Sequence, residues 1–332
     1  MFYDGPPYGT GTPHYGHLLA GTIKDIIPRY KTMQGYHVPR RWGWDCHGLP
    51  IENLIEKELG LNSKQDIEAL GVDKFNAAAR ASVLRYAAEW EAMVPRTGRW
   101  VDMDTPYMTM QPTYMESVWW VFKTLHKKGL VFEGFKGMHL CPRCGTTLSN
   151  FEVNQGYKDI KDIAVTVKLP LLDDAGEPTD TSLLVWTTTP WTLPGNLAAA
   201  VHDDHTYAEV KVTTEDGEAK VILAKERLAQ LGTEEYEVLR EFPGSELVGR
   251  RYEPPFPWLL EQEMEGKDKA WTIYHADYVE LGEEGTGAVH LAPAYGEEDM
   301  ELAKREGVPI FHHVDEAGHF KDFVADFAGQ LV

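Results

Sequence analysis

The chain has 332 residues, 43% of them hydrophobic, with ten tryptophans, three cysteines and a formal net charge of −20. That length exceeds one ordinary core, so two domains are expected, and the apolar content excludes a disordered chain. No apolar run of about twenty residues is present to span a membrane, no basic-then-apolar leader is visible, and three cysteines make no disulfide framework, so a reducing cytoplasm is the expected setting.

Residues 1–138 predict alternating strands and helices, the pattern of a doubly wound α/β half-domain. Met1–Tyr3 reads as a strand end running into the turn Asp4-Gly5-Pro6-Pro7-Tyr8-Gly9-Thr10-Gly11. His14-Tyr15-Gly16-His17 then opens a helix with the apolar stripe Leu19, Ile23, Ile26, Ile27 and Tyr30, and a kink is expected at Pro28. Strand, glycine turn and helix start together make a place for a nucleoside triphosphate. Backbone N–H groups and the helix N-terminus face phosphate oxygens, Gly16 admits a base or ribose, and two histidines can donate to a phosphoryl group as it gains charge.

A strand is expected over Val38–Trp44, with Gly43-Trp44-Asp45-Cys46-His47-Gly48-Leu49-Pro50 at its C-terminal end, where open α/β sheets place ligands. Asp45 either offers a carboxylate to an α-ammonium beside Trp42 and Trp44, or caps the helix beginning near Ile51. Asp73 is expected to cap a helix with the stripe Phe75, Ala79, Val83, Tyr86, Trp90 and Met93. Pro112 should open another, stopped at Gly129, with Met115, Val118, Trp119, Phe122 and Leu125 inside. The global charge argues against nucleic acid, yet Lys123, Lys127, Lys128 and Lys136 form a local basic cluster that is either a solvated helix face or part of a polyanion surface.

Residues 139–158 carry Cys141-Pro142-Arg143-Cys144-Gly145, a zinc-knuckle turn that supplies two thiolates where a structural zinc takes four ligands. His139 is a candidate third ligand, and a redox pair or two unliganded thiols are the other readings. From residue 159 the texture becomes β-rich, with runs at Ile163–Leu169, Ser182–Thr188, Tyr207–Val212 and Ala219–Ala224 and a hairpin signal at Asp216-Gly217. Thr187-Thr188-Thr189-Pro190-Trp191-Thr192 and Pro194-Gly195-Asn196 place hydroxyls and amides at a strand end, suited to a ribose and its phosphate. Gly285-Thr286-Gly287 permits close backbone approach and leads to His290 and Asp299, read either as a polar pair in a site or as a satisfied strand histidine and a helix cap.

In this order, Asp4 to Tyr8, His14 to His17, Gly43 to Glu52, Tyr114 to Trp120, Cys141 to Asn150 and the two β-rich segments resemble the class I aminoacyl-tRNA synthetases of the Ile/Val/Leu group, with Trp44 to Pro50 closest to the isoleucine branch. The resemblance implies a partial Rossmann-type nucleotide-binding half-domain (the HIGH-motif half, 1–138), a zinc-knuckle connector (139–158) and a β-barrel-like editing domain (159–332). It implies ATP with Mg2+, isoleucine and tRNA(Ile) as substrates and a monomeric parent. His14 and His17 would stabilise the α-phosphate, Tyr8, Gly9 and Gly16 would hold ATP, and Pro6 and Asp45 would touch the amino acid. Thr187, Thr188, Thr189, Thr192, Asn196, His290 and Asp299 would form the pocket that hydrolyses valine misattached to tRNA(Ile), and Cys141 and Cys144 would give half a zinc site. One methylene separates isoleucine from valine, worth only about 1–3 kcal/mol, and the isoleucine branch that this sequence resembles is the standard example of that problem. The Lys-Met-Ser-Lys-Ser loop, the second Rossmann half, the anticodon-binding helices and a second cysteine pair are not in the sequence, and a fragment is expected. A stand-alone tRNA-editing module, a small-molecule adenylyltransferase and a valyl or leucyl sibling are the alternatives.

Overall fold

The computed structural model describes residues 2–214, 217–282 and 284–332, so Met1 and the Asp216 half of the hairpin signal lie outside the described residues. The chain divides into two compact units, Met1–Gly134 and Phe135–Val332. No helix among the described residues is long and apolar enough to cross a membrane.

In the first unit, β1 (Phe2–Tyr3), β2 (Arg40–Trp44) and β3 (Asp102–Met108) form a parallel sheet in the order β1-β2-β3. Around it lie α1 (Tyr15–Met33), α2 (Leu49–Leu59), α3 (Lys64–Leu70), α4 (Val72–Ser82), α5 (Ala87–Arg96) and α6 (Pro112–Lys127). The core is aromatic: Trp42 and Trp44 from β2 meet Trp90 of α5, with ring centroids 5.4–5.9 Å apart, and Val83, Val94 and Ile51 close around them. Helix α1 runs through Pro28 without ending, and the Pro28 carbonyl accepts hydrogen bonds from Thr32 and Arg40.

Two sequence expectations need correction here. The helix expected from Asp73 is two helices, α4 and α5, parted by a turn at residues 83–86, and the N-cap of α4 is Gly71, two residues earlier, in a positive-φ conformation and with no side-chain cap. The apolar stripes of α1 and α6 are not core. Leu19, Ile23, Ile27, Val118, Trp119, Trp120 and Phe122 are all exposed: the core gathers around Trp42 and Trp44 of β2 and Trp90 of α5, and no described surface covers the outer helices.

In the second unit, β4 (Leu140–Cys141) and β5 (Thr146–Thr147) form a small hairpin before the short helix α7 (Asn150–Val153). Strands β6 (Val165–Leu172), β7 (Pro178–Thr187), β9 (Thr206–Thr214), β10 (Gly217–Ala224) and β11 (Tyr236–Pro243) make a five-stranded sheet in the order β11-β9-β10-β7-β6. Strands β8 (Ala198–Val201), β12 (Thr272–His275) and β13 (Ala288–Leu291) make a second sheet in the order β12-β8-β13, followed by α8 (Glu297–Glu306). Among the described residues the two sheets do not close into a barrel; isolated bridges from Leu171 to Tyr252 and from Arg251 to Thr272 link β6 to β12. Strand alternation explains the layering. Leu183 and Val185 of β7 and Ile222 and Ala224 of β10 enter the main core with Ala198–Val201, while Leu184, Val221 and Leu223 face a second cluster with Leu228 and Leu231.

The exposure contrast in the first unit sets a stability test. Trp42→Ala, at 1% exposed, is expected to destabilise by roughly 3–5 kcal/mol. Trp119→Ala, at 70% exposed, is expected to change stability by about 0.5 kcal/mol or less, both read by urea unfolding.

Candidate functional site

The first candidate site lies at the C-terminal ends of β1 and β2. The Asp45 amide donates to the Pro7 carbonyl and Tyr8 bridges to Asp45, so the turn carrying Pro6 and Tyr8 sits directly beside Asp45. Asp45 does not cap α2; its carboxylate accepts from the His47 amide, and the N-cap of α2 is Gly48, with no side-chain cap. Gly9 is buried, and a Cβ there would come within 2.3 Å of the Val83 carbonyl oxygen, so this glycine is required by packing. A cleft lined by Cys46, His47, Glu52, Arg80 and Met110 opens beside Asp45.

At the start of α1 the two histidines cap the helix. His14 Nδ1 accepts from the Gly16 amide at 3.1 Å, and His17 Nδ1 accepts from the His14 amide at 3.2 Å. The rings stack with centroids 3.6 Å apart, and Trp90 meets His17 edge-on at 4.8 Å while donating to the Gly11 carbonyl. Partial burial, then the neighbouring His14 and Lys24, lower the His17 pKa. A neutral imidazole that accepts at Nδ1 carries its proton on Nε2. Both rings therefore present an N–H donor while uncharged, at the end of a helix whose free amides already favour an anion.

The sequence reading missed what holds this turn. Asp4 is buried and pairs with Lys24 at 3.0 Å and Arg99 at 2.5 Å, and Lys24 also donates to the Gly5 carbonyl. Thr109, just beyond β3, accepts from the Cys46 amide and contacts His47 Nδ1, both at 2.9 Å. Asp4 was legible as a strand-end carboxylate; its partners lie too far along the chain for spacing to reveal.

The second candidate site is a continuous line of contacts in the second unit. Thr187 and Thr189 hydroxyls lie 3.2 Å apart, the Thr192 hydroxyl donates to the Thr189 carbonyl at 2.8 Å, and Thr192 Oγ1 meets His290 Nε2 at 2.7 Å. Asn196 Nδ2 donates to His290 Nδ1 at 3.2 Å, which leaves the ring proton on Nε2. Burial first, then the nearby His313, push the His290 pKa down to about 4, so this ring is neutral. Thr188 is exposed.

Two residues beyond His290, the Ala292 amide donates to Asp299 Oδ2 at 2.8 Å. Asp299 occupies the third position of α8, one turn inside its Gly296 cap, and a Cβ on Gly296 would lie 2.8 Å from the carboxyl carbon. Burial pushes the Asp299 pKa up to about 6, with Glu298 adding and the Ala292 amide opposing. His313 was not foreseen: it is fully buried, its Nε2 faces the Trp191 carbonyl at 3.0 Å, and burial lowers its pKa to about 4. The His312-His313 doublet was its only sequence signal.

Cys141 and Cys144 flank a turn closed by the Gly145 amide donating to the Cys141 carbonyl, and both thiols are free. Burial and the neighbouring Cys141 thiol raise the Cys144 pKa. Among the described residues no His, Cys, Asp or Glu, His139 included, joins the pair as a third ligand. Two thiols do not meet the four-ligand requirement of a structural zinc.

Residues 1–309 match the family described as tRNA synthetases class I (I, L, M and V). The chain is similar to the isoleucine–tRNA ligase of Treponema denticola, 51% identical across all of this chain and 32% of that protein. It is 48% identical to the cytoplasmic isoleucine–tRNA ligase of Schizosaccharomyces pombe, across all of this chain and 31% of that protein, and 49% identical to that of Thermus thermophilus across 98% and 30%. The chain thus spans about a third of the length of the curated relatives it matches.

The buried titratable groups give the second unit a two-signed pH dependence. Unfolded histidine protonates near 6.5 while native His290 and His313 resist to about 4, so the stability they confer is present above 6.5 and is lost as pH falls from 6.5 toward 4. That loss is expected to be roughly 1–3 kcal/mol per ring. Asp299 acts oppositely: its native value of about 6 exceeds the ordinary 3.8, so it lowers stability as pH rises across that window. Asp299→Asn is therefore expected to raise the thermal midpoint of this unit at neutral pH and to leave it unchanged in acid, as read by calorimetry.

Proposed function

The chain belongs to the class I tRNA synthetases, and from that premise we propose that it carries the activating signature and the proofreading domain of an isoleucine–tRNA ligase. In activation, the isoleucine carboxylate attacks the α-phosphorus of ATP, pyrophosphate leaves with Mg2+, and the tRNA(Ile) terminal hydroxyl then displaces AMP from the adenylate. His14 and His17 donate from Nε2 to the α-phosphoryl oxygens as charge builds there. Gly16, Gly9 and Tyr8 shape the nucleotide site, while Asp45 holds the substrate ammonium with Pro6 alongside. The observation that carries this reading is the reciprocal histidine cap, which commits Nδ1 of both rings to the backbone and leaves Nε2–H as the donor.

Proofreading of valine attached to tRNA(Ile) belongs to the second unit. Asp299, ionised above its value of about 6, grips the ammonium of the misattached amino acid. The hydroxyls of Thr187, Thr188 and Thr189 receive the terminal ribose and water, and His290 serves by holding Thr192 and Asn196. The reducing cytoplasm suits the three free thiols.

Two measurements test the reading. His14→Asn keeps a strong N-cap residue but deletes the Nε2 donor. In a chain extended by the segments its relatives carry, it is expected to leave helix content intact and to cut isoleucine-dependent ATP–pyrophosphate exchange by about 10²–10³-fold; full activity would remove His14 from the site. Asp299→Asn is expected to slow hydrolysis of Val-tRNA(Ile) by roughly 10–100-fold and to abolish its rise with pH through the carboxyl titration. An unchanged rate and profile would separate Asp299 from proofreading.

A further inference from the structure

A third polar cluster lies at the other end of β8 from Asn196, and neither candidate site uses it. Strand β8 ends at Val201, paired in parallel register with His275 of β12, so His202 and Asp203 emerge beside His275. We propose that His202, Asp203 and His275 form a binding site for a borderline divalent cation, with Zn2+ as its natural occupant.

Three observations support the assignment. The ligand atoms of the three residues all lie within 4.8 Å of one another. Asp203 Oδ1 is 2.8 Å from His275 Nδ1 and 3.7 Å from His202 Nδ1. Metal–ligand bonds of about 2.0–2.1 Å in a tetrahedron separate ligand atoms by roughly 3.3 Å, a spacing those two distances straddle.

The ring tautomers are also set for ligation. The Asp204 amide donates to His202 Nδ1 and the Asp203 amide to His275 Nδ1, each at a long 3.3 Å, so both Nδ1 atoms are lone-pair donors. Asp203 Oδ1 lies 2.8 Å from His275 Nδ1, close enough to share a proton, and a metal ion would take that proton's place. On the far side of the ring, His275 Nε2 donates to Asp277 at 3.0 Å, the carboxylate–histidine arrangement that orients metal-ligating imidazoles. His202 is further backed by the stacked ring of His205, centroids 4.3 Å apart, whose Nε2 is tied to the Val279 carbonyl.

Two imidazoles and one carboxylate suit Zn2+ over Mg2+ or Ca2+, which prefer all-oxygen sets. Ala198–Val201, which lead into His202 and Asp203, are fully buried, while the ligands are partly exposed and open to water as the remaining ligand. Bound metal would pin the ends of β8 and β12 together.

The test is equilibrium dialysis of Zn2+ against the whole chain carrying Cys141→Ser and Cys144→Ser, which silences the thiol pair. Expected are a single bound equivalent that excess Mg2+ does not displace, and a Co2+ derivative with tetrahedral d–d bands and no thiolate charge transfer. His275→Ala is expected to abolish binding, and Asp277→Asn to weaken it by roughly 10–100-fold. Should His275→Ala fail to fold, Asp203→Asn, at an exposed carboxylate, takes its place with the same expected loss. No Zn2+ bound by the double-serine chain, or binding unchanged in the ligand variants, would overturn the site and leave a protonated His275 bridging Asp203 and Asp277.

Discussion

The side chain of Asn196 sets the geometry on which the second unit depends. Its amide nitrogen donates to the Ala198 carbonyl and to His290, its amide oxygen accepts from the Tyr252 hydroxyl, and its backbone carbonyl accepts from Trp271. All of this is buried, where an unsatisfied polar atom costs about 1–3 kcal/mol. The consequence propagates. The amide orientation selects the His290 tautomer, the tautomer directs the ring N–H at Thr192, and the Thr192 hydroxyl then donates to Thr189. The hydroxyls of this segment are thus aimed in advance by the fold.

Small residues make this arrangement possible. Ala198, Ala199 and Ala200 let β8 lie fully buried between β12 and β13 while the five-stranded sheet packs on it. Gly195 lies against His313 so closely that a Cβ would come within 2.2 Å of the ring. Gly287 holds a φ of +79°, and a Cβ there would meet the Ala224 methyl at 2.4 Å. The close approach expected of the Gly-Thr-Gly segment is therefore real, but at Gly287 it is made to the protein's own sheet. Thr286 likewise donates inward, to the Leu184 carbonyl.

Much of this was legible along the chain because it is local. The start of α1, the span of Pro112 to Lys127 and the β6–β7 and β9–β10 pairs follow from periodicity and turn residues. What escaped was set by distant partners. An Ala-Ala-Ala-Val run carries no strand signature; its two neighbouring strands supply one. The stripes on α1 and α6 have core-like spacing, yet spacing reports only that a face is apolar, not whether a surface within reach covers it. His313 was silent because its importance lies in Gly195 and Trp191, more than a hundred residues earlier. The helix caps were the most legible, since each is built within four residues.

The two units share a way of using histidine. At α1, backbone amides occupy Nδ1 of both rings; at β13, the Asn196 amide does the same. Each ring thereby has its Nδ1 committed and one N–H of known direction. A protonated ring would attract any phosphate by charge alone, and in a chain already carrying many carboxylates it would be drawn into internal ion pairs. A donor fixed by its neighbours discriminates by position instead. The acid lability of the buried rings is the cost of that choice, and it falls well below the pH at which the Asp299 carboxylate ionises fully. Neutral His290 and His313 and an ionised Asp299 therefore coexist only above about pH 6.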